Sequence, residues 1–89
     1  MNAIEFLKER LEVVEKYECK ITDSLYLRKR SFINTVNILI KLINPNATLT
    51  KGQQEIIFSM VDPWRLSLND DHCVELLLPI ATYINSCHE

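Results

Sequence analysis

Apolar residues recur at helical spacing along almost the whole chain. Ile4, Leu7, Leu11 and Val14 alternate steps of three and four, and Phe6, Val13 and Tyr17 form a second stripe beside them. The two stripes cover an arc of roughly 180°, wider than a minimal amphipathic face. They predict a helix over 3–20 that meets two neighbours. Thr22, Asp23 and Ser24 are three N-cap residue types in a row, so a second helix is expected over 24–43. Leu25, Phe32, Val36, Leu39 and Ile43 share one of its faces. Leu27, Ile38 and Leu42 lie nearly opposite, with Ser31 and Asn34 among them. Asn44-Pro45-Asn46 ends it, because the residue before a proline is pushed out of the α region.

Thr50-Lys51-Gly52-Gln53 has the capping-box pattern. A third helix is expected over 51–61, with Ile56, Ile57 and Met60 inward. Asp62-Pro63 reads as an N-cap with proline at the first helical position, giving a brief turn through Trp64. A last helix is expected over 69–86. Its Cys73, Leu76, Leu77, Ile80, Ile84 and Cys87 fall within about 100° of one another. Pro79 lies outside that arc, where it bends the helix rather than ending it. The pattern therefore predicts an all-α fold, a small bundle of about four helices in one domain over 1–89. A chain this short buries a thin core and gains by dimerising, so a helical homodimer is expected.

Composition removes alternatives. A single glycine excludes the clustered glycines of dinucleotide and P-loop sites, and few turn residues argue against a sandwich or barrel. An apolar content of 47% argues against disorder. Three cysteines, Cys19, Cys73 and Cys87, are an odd and sparse set for a secreted disulfide scaffold. The early charge at Glu5 does not read as a signal peptide, and a cytoplasmic location is expected. The net charge of -2 is uneven: residues 1–30 and 31–60 each sum to +1, and residues 61–89 to -4.

Candidate chemistry is thin. His72 sits beside Glu75, and His88 is penultimate. Neither has a nucleophile arranged around it, so no catalytic residue is assigned. Cys73 and Cys87 are about 21 Å apart along a straight helix at roughly 1.5 Å per residue, too far to share one metal ion. No metal site, cofactor or small-molecule substrate is expected. Cys19, on the polar side of the first helix, is either an exposed thiol or an unreactive one. Arg28, Lys29 and Arg30, extended by Lys41 on the same face, are either a solvated basic face or a nucleic-acid contact. Trp64 either closes the core or anchors a partner.

The second apolar stripe, Leu27, Ile38 and Leu42, carries the leading expectation. One short chain has difficulty covering two opposite faces of one helix. A partner or dimer interface is therefore expected there, with Leu7, Leu11 and Trp64 as contributors. The expected function is a small, non-enzymatic regulatory or adaptor protein that binds protein. The alternatives are a DNA-binding transcriptional modulator and a phage or plasmid inhibitor, immunity protein or secretion chaperone whose contact surface is the acidic segment from Asp62 to Glu75.

Three segments also carry a resemblance. They are the helix Phe32-Ile33-Asn34-Thr35-Val36-Asn37-Ile38-Leu39-Ile40, the polar break Asn44-Pro45-Asn46-Ala47-Thr48-Leu49 before Gln53–Val61, and the closing run Leu76-Leu77-Leu78-Pro79-Ile80-Ala81-Thr82-Tyr83-Ile84. In this order, residues 31–84 resemble the enterobacterial biofilm-development family of YmgB/AriR type. The resemblance implies a small helical dimer acting as a connector in biofilm, acid-stress or envelope signalling, with DNA binding considered for some members. It transfers no site residue.

Overall fold

The computed structural model describes residues 2–61 and 70–87, apart from the side chains of 70–73. Four helices form among them: α1 (Ala3–Glu15), α2 (Ser24–Leu42), α3 (Lys51–Met60) and α4 (Asp70–Ser86). Among the described residues there is no strand, only an isolated bridge between Asn2 and Thr48. The all-α fold is as expected, and three helices match their predicted bounds to within a residue at each end. The Trp64 turn lies outside the described residues, as do His88 and the side chains of His72 and Cys73.

Local side-chain chemistry starts the first three helices. Asn2 Oδ1 accepts from the Glu5 amide at 2.8 Å, and Asp23 Oδ1 accepts from the Leu25 amide at 3.1 Å. At α3 the capping box is complete. Thr50 Oγ1 accepts from the Gln53 amide, and Gln53 Oε1 accepts from the Thr50 amide at 2.8 Å. Each such cap satisfies backbone donors that the helix leaves unpaired.

α1 is shorter than the predicted 3–20. Its last turn tightens at Tyr17, whose amide donates to the Val14 carbonyl at 3.1 Å. Past Val14 the periodic pattern rests on Tyr17 alone, and Tyr17 is exposed. A helical extension with no buried face gains nothing from packing to offset its ordering cost. Cys19 therefore lies beyond the helix, half-buried, rather than on its polar side.

The helix ends gather in one place. The Ala3 amide donates to the Ala47 carbonyl at 3.0 Å, joining the start of α1 to the connection after α2. Asn85, near the end of α4, accepts from the Asn44 amide at 2.6 Å and donates to the Leu42 carbonyl at 3.4 Å. Thr50 and Gln53, at the start of α3, line a cleft with Cys87. The helices therefore alternate in direction, α1 and α3 one way, α2 and α4 the other. α2 packs against both α1 and α4, and α3 packs against α4.

The core runs along α2. Phe32, Val36, Leu39 and Ile43 meet Phe6, Leu7 and Leu11 on one side and Leu77, Ile80 and Ile84 on the other. Ala47, Leu49, Ile57 and Val61 complete the cluster. The periodicity assigned most of these correctly. It placed Ile56, Met60 and Leu76 inward, whereas all three are exposed. The ten-residue α3 meets the core through Ile57 and Val61 and covers no more of α4. Leu39→Ala, at a fully buried site, should cost about 2–5 kcal/mol. Val13→Ala, at an exposed one, should stay within about 0.5 kcal/mol. Urea denaturation of both variants checks the contrast, and equal costs would contradict this core.

Candidate functional site

Helical rows at steps of three and four set Leu27, Ser31, Asn34, Ile38 and Leu42 along one flank of α2. The same rule sets Val74, Leu78, Ala81 and Asn85 along one flank of α4. Asn85 ties the end of α4 to the end of α2, because its side chain bonds the Leu42 carbonyl and the Asn44 amide. Both rows run back from that joint in the same direction. At roughly 1.5 Å per residue, Leu78 and Val74 lie about 10 and 16 Å from Asn85, and Ile38 and Leu27 about 6 and 22 Å from Leu42. The two rows together, the α2–α4 strip, expose Leu27 (67%) and Leu42 (38%) on α2 and Val74 (56%) and Leu78 (55%) on α4. Ile38 is half-buried and packs against the core. None of the nine row positions is Asp, Glu, Lys or Arg, in a chain that is 25% charged. Loss of charge with retention of large apolar side chains is the composition of an interface centre.

The structure divides the predicted partner surface. Leu27 and Leu42 are exposed, whereas Leu7 and Leu11 are buried in the core and belong to no surface. They were expected as contributors because the wide arc of α1 suggested a second, external neighbour. α2 already covers them. Trp64 lies outside the described residues. Val74 and Leu78 are additions that sequence reasoning missed. Their i,i+4 spacing at the edge of the α4 core arc was the available signal.

The basic cluster is also divided. Lys29 Nζ donates to the Tyr17 carbonyl at 2.8 Å and to the Glu15 carbonyl at 3.1 Å. α1 has no basic residue in its own last turn, so Lys29 supplies, from α2, the positive charge that a helix C-terminus favours. Two of its three donors are thereby occupied. Arg28, Arg30 and Lys41 remain exposed.

Other chemistry is sparse. Among the described residues no group of His, Cys, Asp and Glu is placed to hold a metal ion. No described helix is long and apolar enough to cross a membrane. Tyr83 is the one described group with a clear pKa displacement. Partial desolvation raises its phenol above 10.0, and a hydrogen bond and charge interaction with Cys87 raise it further. A separate cleft opens between α1 and α3, where the Arg10 guanidinium carbon lies 4.8 Å from the Phe58 ring centre and 5.5 Å from that of Phe6.

No family model, curated protein or solved structure matches the chain.

Lys29→Ala should destabilise the fold by about 1 kcal/mol through loss of the carbonyl cap, whereas Arg30→Ala should change stability by less than about 0.5 kcal/mol. Chemical denaturation of the two variants decides this. A second expectation concerns pH. The folded protein holds the Tyr83 proton more tightly than the unfolded chain. The resulting stabilisation is complete below pH 10.0 and is lost as pH rises through the higher folded value. Tyr83→Phe should remove that alkaline loss, measured as denaturation midpoints on either side of pH 10.0.

Proposed function

We propose that this protein is a small, non-enzymatic regulator or adaptor that works by binding protein, and that it pairs with a second copy of itself through the α2–α4 strip. The observation that carries the reading is the strip itself: Leu27, Leu42, Val74 and Leu78 exposed along two rows that hold no charged residue. Exposed apolar side chains of this kind suit a partner that is equally apolar, with Arg30 and Lys41 at the rim. A two-fold axis supplies one, because it sets the same patch against itself. Covering four such side chains on each copy removes apolar area from water at roughly 25 cal/mol per Å². The resemblance of residues 31–84 to the YmgB/AriR-type family supports a dimeric connector role. Cys19 and Cys87, both free thiols, fit a reducing cytoplasm.

The exposed cations Arg28, Arg30 and Lys41 leave nucleic acid as the weaker reading, since Lys29 is held by the α1 carbonyls. Sedimentation of the full chain over a wide concentration range tests the proposal. The expected result is a monomer–dimer equilibrium that Leu27→Glu and Leu78→Glu each shift to monomer, with little effect on folding because both sites are exposed. A strict monomer at high concentration, or a dimer indifferent to both substitutions, would overturn it.

A further inference from the structure

We propose that the cleft between α1 and α3 binds a small monocarboxylate with an apolar or aromatic body, gripped by Arg10 and seated on Phe58. The cleft is about 190 Å³ and is lined by Phe6, Arg10, Lys51, Gln54, Glu55 and Phe58. An apolar cavity of about 150 Å³ holds benzene, so a body the size of one ring fits.

Three features point to a carboxylate. The Arg10 guanidinium stacks near two rings, at 4.8 Å from Phe58 and 5.5 Å from Phe6. Stacking restrains a planar cation and so lowers the ordering cost of a forked contact. Its Nε–H is buried and has no hydrogen-bond partner. That atom is closed off from solvent, so an incoming carboxylate is met end-on by the terminal N–H groups of the same planar fork. The ionisable groups around the cleft are Arg10, Lys51 and Glu55. Two positive charges and one negative leave a single net positive charge, which matches a monoanion. A dianionic phosphate would meet the Glu55 carboxylate.

The hydrophobic half of the site is Phe58. Phe6 is buried, whereas Phe58 is 36% exposed and lines the opening, so a ring or aliphatic body covers it. Lys51 is the first residue of α3, where the helix end adds a partial positive charge on the same side. The binding site and the α2–α4 strip lie on different helix pairs, so each stands or falls alone.

Amide NMR of the full chain titrated with 3-phenylpropionate tests the assignment. Saturable shifts are expected at residues 6–10 and 51–58. The neutral amide of the same acid should bind at least about tenfold more weakly, and phenylphosphonate should bind no better than the carboxylate. Arg10→Met, which keeps an apolar side chain against both rings, should abolish saturation. Lys51→Gln, at an exposed position, should weaken binding several-fold and serves where Arg10→Met fails to fold. Absence of saturation up to about 10 mM, equal affinity for the amide, tighter binding of the phosphonate, or saturable shifts only elsewhere would each overturn it.

Discussion

The connection from Asn44 to Thr50 is the joint on which the bundle depends. Four helix ends meet there, and several backbone groups around the joint have named partners. Ala47 accepts from Ala3 and donates to Asn44, Asn46 donates to the Asn44 side chain, and Asn85 reaches across from α4 to Leu42 and Asn44. Ala3 and Ala47 are both fully buried at the crossing. A larger side chain at either position would drive α1 away from the joint. Pro45 contributes by ending α2 where the chain must turn. With the ends fixed, the helices alternate in direction and α2 is left in the centre.

That central position explains the doubly apolar character of α2. One face meets α1 and α4 together, and its flank toward α4 is only partly covered. Ile38 is taken into the chain's own packing, while Leu27, eleven residues nearer the start of the helix, is left outside. A single stripe in the sequence thus has two fates. The difference is position along the bundle, because Leu27 lies at the end remote from the joint.

Helix starts were legible because their chemistry is local. Asp23, and Thr50 with Gln53, announce themselves within four residues and behave as those patterns require. Helix ends and faces were less legible where they depend on a partner far away in sequence. α1 stops at Glu15, and the carbonyls of Tyr17 and Glu15 are met by Lys29, twelve and fourteen residues on. Nothing near Glu15 signals this. Ile56, Met60 and Leu76 were read inward because periodicity reports an apolar face without reporting whether a neighbour is long enough to cover it. For the same reason the α2 half of the candidate surface was visible in sequence, while Val74 and Leu78 were not. Their relevance arises only once Asn85 ties the end of α4 to the end of α2.

The two candidate surfaces follow from the same arrangement. α2 and α4 run together from the Asn85 joint and carry the charge-free strip, while α1 and α3 run the opposite way and carry the Arg10 cleft. The residues that build them differ accordingly. The strip holds aliphatic side chains that are exposed among the described residues, which suits association with another apolar surface. The cleft holds a guanidinium restrained by two rings, which suits a small anion. In the proposed dimer the strip is covered and the cleft stays open on each copy. Ligand entry then requires no separation of the subunits, and its effect on pairing would have to pass through the joint at which α1, α2, α3 and α4 all meet.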